Sequence, residues 1–350
     1  MSTHKALVVT AIGKSLEPAI RPTLTPSAKQ LQLRVTVAAL NPHDQKARDL
    51  GLFIKDSLPA ILANDVVGVV TAIGPEVTRF QVGDRVFTQG GMTPNHSGAG
   101  LQEYSLAEED HTSKIPDGFT DDDVATLPTN ILPALIGIFD EGRGLGIPWP
   151  YLDQAAPFDY AETQLLIIGG GSNCGRYATQ LAKLAGFGTI VVVGGNEEQL
   201  KGFGATHVVD RHGGHDAVLK RIRDIVGDDL LYAYEAVQGP SQQHLDINAL
   251  SNTKKGKLAR IVFSGGPLDT SKILPKQAGY ELKDTFGVSP LYPYLTVPFW
   301  KKLGEYLTEG KVKTLSYEVV GGLDAAKVSA VLDEYRDGKR ATQPHVHVSS

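Results

Sequence analysis

Apolar and polar residues alternate along "LQLRVTVAAL" (31–40), with leucines and valines taking every second position. A period of two predicts a half-buried β-strand. "DVVGVVTAIG" (65–74) is β-branched and broken by glycines, and "GDRVFTQG" (83–90) follows a turn. Together they predict a barrel-like β domain with glycine corners in the first 110 residues. "TDDDVATLPTNILPALIGIFD" (120–140) opens on an acidic cluster and predicts a helix. The stretch 141–163 is rich in Gly, Pro and aromatics and reads as a structured loop at a domain junction.

From 165 the rhythm changes. Apolar runs at 165–168, 189–193, 207–209, 230–236 and 258–263 predict strands. Helical patterns lie between them, near 175–185, 215–226 and 241–251. Strand–helix alternation of this kind implies a doubly wound parallel sheet. Near 300, "PFWKKLGEYLTEGKVK" predicts an amphipathic helix. The tail "TQPHVHV" (342–348) reads as a strand too polar for the centre of a parallel sheet. Its return to the first domain would make that domain discontinuous, 1–130 plus 300–350, around a second domain at 131–299. "HVH" sets two imidazoles on one face of this strand, and a solvated strand end is the expectation.

Composition narrows the function classes. A chain of 350 residues is long enough for two cores. Its 38 glycines and 20 prolines are spread out, which points to many tight turns rather than disorder. A net charge of −5 without a basic run argues against nucleic acid or an anionic membrane as partner. No apolar stretch approaches the roughly 20 residues of a membrane helix. "MSTHKALVVT" suits a first strand better than a signal peptide. The lone cysteine, Cys174, forms no internal disulfide and fits a reducing compartment, with the cytoplasm as the expected location.

The chemistry concentrates in "LLIIGGGSNCGRYATQLAKLAG" (165–186), which reads as strand, glycine-rich turn and helix. A pyrophosphate needs backbone N–H groups and a helix N-terminus, with no side chain in the way. Gly170, Gly171, Ser172, Asn173 and Cys174 precede Gly175, and the fingerprint reads GxSxxG rather than GxGxxG. Ser172 is small and is expected to donate to phosphate. A nucleophile elbow, GxSxG, is the rival reading, but Cys174 stands where its second glycine belongs. Cys174 itself reads as a small packing residue.

An NAD site places Asp or Glu at the tip of the second strand for the ribose 2′-hydroxyl. Here "TIVVVGGNEEQLK" ends in Gly194, Gly195 and Asn196. A 2′-phosphate would meet no repulsion there, and Asn196, Lys201 and Arg211 are candidates to hold it. This favours NADP(H). The alternative is a longer strand with Glu197 as ribose ligand.

Several motifs occur in one order: "LNPHD" (40–44), "LPAILANDVVGVVTAIGPEVTRFQVGDRVF" (58–87), "GLQEYSLAEEDHTSKIPDGFTDDDVATLP" (100–128), the glycine turn and "FGATHVVD" (203–210). This order resembles the medium-chain dehydrogenase/reductase superfamily, within it the zinc-free quinone oxidoreductase and enoyl reductase branch. "LGIPWP" (145–150) and the GxSxxG turn are similar to fungal polyketide- and toxin-pathway enzymes, trans-acting enoyl reductases among them. The resemblance implies a GroES-like β-barrel catalytic domain beside a Rossmann cofactor domain, an α/β chain that binds NADP(H). Zinc-dependent members carry Cys where Asn41 stands and a His–Glu pair where Asn64 and Asp65 stand. Asn41 and Asn64 are poor zinc ligands, so no metal is expected.

Without a metal, hydride transfer to an enone, an enoyl thioester or a quinone is the implied reaction. Donors must meet the developing enolate, and a proton source must stand near the α-carbon. The resemblance places the 40–46 segment near the nicotinamide, with Asn41, Asp44 and Lys46 as candidates to line it. Asp44 is equally a capping residue. Related enoyl reductases carry a proton-donating Tyr where Phe53 stands, and Phe donates no proton. Thr129, beside Asn130 at a helix start, is a candidate contact to the cofactor or a cap. Tyr292, Tyr294, Phe299 and Trp300 read as core or as a substrate wall. A small-molecule or carrier-bound substrate and a homodimer are expected. The alternatives are an NADPH quinone oxidoreductase and a non-catalytic NADPH-binding protein.

Overall fold

In the computed structural model, which describes residues 2–91, 93–237, 242–261 and 268–349, the chain starts with an antiparallel hairpin. Its strands are β1 (Thr3–Val8) and β2 (Glu17–Pro22). β3 (Gln30–Ala39) realises the period-two pattern: Leu31, Leu33 and Val35 are fully buried, while Gln32, Arg34 and Thr36 are half-exposed. α1 (Pro42–Leu50) carries Pro at its first position, where no helical N–H is needed, and ends at Gly51 in the left-handed region. β4 (Asp65–Ile73), β5 (Arg85–Gln89), β6 (Tyr104–Glu108) and β7 (Thr112–Lys114) follow.

The expected single helix over 120–140 is two, α2 (Asp121–Ala125) and α3 (Pro128–Phe139). Pro128 has no N–H to continue α2 and disfavours helical backbone at Leu127, so a new helix starts there. The chain then alternates through β8 (Gln164–Ile168), α4 (Asn173–Ala185), β9 (Thr189–Val193), α5 (Glu197–Phe203), β10 (His207–Val209), α6 (His215–Val226), β11 (Tyr232–Glu235), α7 (His244–Ala249), β12 (Gly256–Ile261) and β13 (Tyr280–Thr285). The expected strand at 258–263 and helix at 241–251 each extend onto residues outside the described ones. Last come α8 (Pro293–Thr308), β14 (Tyr317–Gly321), α9 (Ala325–Arg336) and β15 (Gln343–His347).

The chain divides into two units. One comprises Met1–Thr129, Thr296–Thr308 and Thr314–Ser350; the other comprises Asn130–Leu295 and Glu309–Lys313. The second holds a six-stranded parallel sheet in the order β10-β9-β8-β11-β12-β13. That is the doubly wound order whose reversal, between β8 and β11, opens a crevice at the strand C-termini. The loop over 141–163 belongs to this unit and is well anchored. Trp149 is buried against Phe139 at 4.6 Å between ring centres, and the Tyr160 hydroxyl donates to the Pro148 carbonyl.

The first unit is a β structure ordered β14-β15-β3-β4-β5-β7, with β6 also on β3. Its apolar core is contributed by β1, β3, β4, α9 and β15. β15 runs between β14 and β3, so the "HVH" segment is not a solvated strand end. His345 is fully buried, stacks on Tyr317 at 4.7 Å, and shares the Asp122 carboxylate with His347. The late aromatics divide. Phe299 and Trp300 are core, Trp300 lying 5.8 Å from Phe87. Tyr292 is buried, and Tyr294 is half-exposed with its hydroxyl donating to Asp140. Among the described residues, no helix is long and apolar enough to cross a membrane.

Candidate cofactor and active site

β8 delivers the chain to Gly169, and α4 begins at Asn173. Ser172 is the N-cap between them. Its hydroxyl accepts the Gly175 N–H at 3.0 Å and donates to the Gly169 carbonyl at 2.8 Å. The hydroxyl expected to reach a phosphate is therefore spent inside the turn, and Ser172 shapes the site rather than donating to a ligand. Its proton faces a carbonyl and not an imidazole, so the nucleophile reading loses its base.

The turn has no room for side chains. A methyl group built on Gly175 would stand 2.2 Å from the Gly169 carbonyl oxygen. One on Gly170 would stand 2.3 Å from Val192 and 2.6 Å from the Gly194 carbonyl. Gly195 sits at φ 92°, where an L side chain is strained, and a methyl there would strike the Gly170–Gly171 peptide. Gly169–Gly171 and Gly194–Gly195 thus meet backbone to backbone at the start of a 13-residue helix. This bare cradle fits the pyrophosphate of a dinucleotide. Asn173 accepts from Arg176 at 3.3 Å. Cys174 is half-buried, less enclosed than a packing residue, with its sulfur 4.0 Å from the Asn130 side-chain oxygen.

At the tip of β9, Asn196 caps α5 by accepting the Gln199 N–H at 2.9 Å. Lys201 pairs with Glu197 at 2.7 Å on the exposed face of α5, so its charge has a partner before any ligand arrives. Glu197 is the first residue of that helix, which leaves the strand tip without a carboxylate. Arg211 differs from both. Its Cδ lies 3.3 Å from where a Gly194 side chain would start, so its stem lies along the glycine tip. Arg221 clamps the same loop by donating to the Asp210 and His212 carbonyls.

The first unit holds a buried polar cluster at the start of α1. Asp65, with no exposure, opens β4. It accepts from the Asn41 amide at 2.6 Å, the Gln343 amide at 3.0 Å and the Thr129 backbone N–H at 2.5 Å. Burial pushes its carboxyl up to about 6, against the pull of these donors. Asp44 accepts the Asn41 N–H at 2.8 Å and the Ala63 N–H at 2.9 Å. Both oxygens serve the backbone, which makes Asp44 a cap of α1 and not a reacting group. Thr129 likewise commits its N–H to Asp65. Lys46 is half-buried one turn into α1, and the loss of water pulls its pKa down. Arg48 locks α1 in place, donating to the Ser329 carbonyl at 3.0 Å and to Asp333 at 2.7 Å on α9.

These residues do not fit a zinc ion. Asn41 turns its NH2 toward Asp65, and His43 Nε2 lies 3.2 Å from the Asn64 amide nitrogen. A tetrahedral site needs several convergent lone pairs, and among the described residues no group of three or more His, Cys, Asp or Glu side chains is placed to hold a metal ion. Asp65 and Gln343 were absent from the expected site. A carboxylate opening the apolar run "DVVGVV" is the one sequence signal that marked the first; nothing marked the second.

The raised carboxyl predicts a pH effect. Asp65 binds its proton more tightly folded than unfolded, so its linked stability is present below pH 4 and lost as pH rises through about 6. The loss is on the order of 3 kcal/mol at 1.36 kcal/mol per pKa unit. Urea unfolding from pH 4 to pH 7 is expected to show this slope in the native chain and not in Asp65→Asn.

The alcohol dehydrogenase GroES-like domain family matches residues 27–117, and the zinc-binding dehydrogenase family matches residues 174–288. The trans-enoyl reductase tndF of Aspergillus flavipes is 32% identical over 77% of this chain and 79% of its own. The chain belongs to the medium-chain dehydrogenase/reductase family. The trans-enoyl reductase FMN2 of Fusarium mangiferae is 27% identical over 95% of this chain and 96% of its own. In fold, the chain is similar to a putative zinc-dependent alcohol dehydrogenase of Rhizobium etli, with TM-score 0.81 and 18% identity over 100% of this chain and 99% of that one. As a medium-chain dehydrogenase/reductase, the protein is an oxidoreductase that binds a nicotinamide cofactor, and the bare glycine cradle is where its backbone suits that ligand.

Proposed function

We propose that this protein is an NADPH-dependent, zinc-independent reductase of the activated C=C bond of an enone or enoyl thioester. The observation that carries the reading is the start of α1. Where zinc-dependent relatives gather metal ligands, this chain has the Asn41 amide tied to Asp65 and, one turn on, the half-buried Lys46. Likeness to trans-enoyl reductases supports the choice of acceptor. The carboxylate-free tip of β9, with Arg211 lying along Gly194, supports the 2′-phosphate.

NADPH supplies hydride when bound. The glycine cradle holds the pyrophosphate, and Arg211 pairs with the 2′-phosphate. Asp44 fixes the backbone at the start of α1, Asp65 holds the Asn41 side chain that precedes it, and together they aim Lys46. Its ammonium, poorly hydrated and easily deprotonated, stabilises charge growing on the substrate carbonyl oxygen or gives its proton at the α-carbon. Phe53, exposed and at φ 63°, has no proton to give. The reading includes a cytoplasmic homodimer acting on a free or carrier-bound substrate.

The test is NADPH oxidation with a panel of enones, enoyl thioesters and quinones. Acceleration by enones or enoyl thioesters supports the reading, and acceleration by quinones alone replaces it with quinone reduction. Binding of NADPH without turnover on any acceptor leaves a binding protein. Lys46→Met is expected to lower kcat about 100-fold with NADPH affinity unchanged, and Lys46→Arg to recover part of the loss. An unchanged kcat in Lys46→Met removes Lys46 from the chemistry.

A further inference from the structure

Two carboxylic acids that the proposed chemistry does not use lie buried in the cofactor unit. Glu235 ends β11 and is 1% exposed; Asp246, in the first turn of α7, is fully buried. One Glu235 oxygen accepts the Val237 N–H at 2.6 Å, a short bond of the kind made by an ionised acceptor. Neither Asp246 oxygen has a hydrogen-bond donor on another of the described residues, although the backbone N–H of Asp246 itself stands beside its carboxylate. The polar group that faces Asp246 is the Glu235 carboxyl, itself an acceptor. Two ionised carboxylates set acceptor to acceptor without water would each lose several kcal/mol of solvation. One proton between them converts the clash into a hydrogen bond.

The pair sits where the cofactor cleft is built. β8 and β11 flank the point at which the strand order reverses. Val237, two residues past Glu235, covers the glycine turn: a methyl group on Gly169 would stand 2.6 Å from its Cγ2. The Val237 side chain is otherwise half-exposed, so it forms a lip rather than a core contact. What orients this lip is the hydrogen bond from its N–H to Glu235, made beside the main-chain bond from Ala236 to Ile168.

We propose that Asp246 carries a proton that it donates to Glu235, and that this pair positions the Val237 lip over the pyrophosphate turn. Asp246 is a positioning residue. Its carboxyl holds Glu235 so that the other Glu235 oxygen meets the Val237 N–H. The inference rests on the glycine turn being the cofactor site.

The surrounding charges do not remove the proton. Arg260 stands opposite Glu235 on β12, but its guanidinium is engaged by Asp284 at 2.7 Å and by the Gln243 side-chain oxygen at 2.6 Å. On α7, His244 stacks on His215 of α6 at 4.4 Å. Asp269 faces His244, and Asp216 and Lys272 face His215. Burial and the Glu235 charge together hold the Asp246 acid well above the usual carboxylate range. Of the two acids, Asp246 is therefore the one that holds the shared proton.

The experiment compares the full-length native chain with Asp246→Asn and Asp246→Ala. NADPH binding is titrated by fluorescence from pH 6 to pH 10, and the protonated-carboxyl C=O stretch is followed by infrared difference spectroscopy. In the native chain the band is expected at neutral pH and fades in alkali. The NADPH dissociation constant rises at the same pH by about tenfold, the worth of one hydrogen bond. Asp246→Asn presents an N–H in place of the proton, so it binds NADPH normally, lacks the band and shows no alkaline rise. Asp246→Ala binds about tenfold more weakly at every pH. A native chain without the band, or an alkaline rise that persists in Asp246→Asn, overturns the proposal; neither needs the alanine variant to fold. Absence of NADPH binding at any pH overturns the cofactor reading and the positioning role with it, whereas binding that ignores both pH and Asp246 overturns the positioning role alone.

Discussion

Gly175→Val is expected to abolish nicotinamide cofactor binding while leaving the β unit folded. The first added carbon would stand 2.2 Å from the Gly169 carbonyl oxygen, a backbone atom that moves only if the turn opens. Opening it breaks the Ser172 bridge between Gly169 and Gly175 and turns the first amides of α4 away from the pyrophosphate. The loss is expected to exceed about 100-fold in affinity, roughly 3 kcal/mol. Gly202→Val is the control, because apart from its chain neighbours and the backbone of its own helix no atom lies within 4 Å of its added carbon. Fluorescence titration of NADPH with both variants, alongside circular dichroism, separates loss of the site from loss of the unit. Tight binding by Gly175→Val would mean that the pyrophosphate rests elsewhere.

Arg211→Glu is expected to invert the cofactor preference. The Arg211 stem is guided along the Gly194 tip, and no carboxylate stands at the end of β9. A glutamate there faces a dianionic 2′-phosphate with like charge. NADPH affinity is expected to fall about 100-fold, while NADH, with only a 2′-hydroxyl, binds as well or better. Lys201→Ala should change little, since that side chain is occupied by Glu197. The ratio of the two dissociation constants is the measurement. An unchanged ratio in Arg211→Glu would remove Arg211 from the ribose pocket and return the choice between NADP and NAD to Glu197.

The cofactor unit was legible because its signals are local. β8 and β9 are short apolar runs, each ended by glycine, and β8, α4, β9, β10, α6 and β11 stand close to where periodicity puts them. α5 and β13 went unread. α5 has seven residues and buries one of them, and the half-exposed β13 lacks an apolar run. The polar cluster was less legible for a different reason. Asn41, Asp65 and Gln343 meet across separations of up to 302 residues, and no local spacing encodes that. For Ser172, sequence shows that a hydroxyl is present but not that its proton already serves the Gly169 carbonyl.

The position of β15 orders events during synthesis. The cofactor unit runs almost unbroken from Asn130 to Leu295 and has all six strands of its sheet once that stretch has left the ribosome. The β unit does not. Its sheet has β3 paired with β15, a strand that follows the whole cofactor unit in the chain. Until residues 343–347 are made, residues 37–39 of β3 lack this neighbour. Asp65 also waits for Gln343, the last of its side-chain donors to be made. A chain stopped at residue 340, before β15, would carry a finished dinucleotide fold and an open sheet edge, which is a surface for chaperones or for other nascent chains.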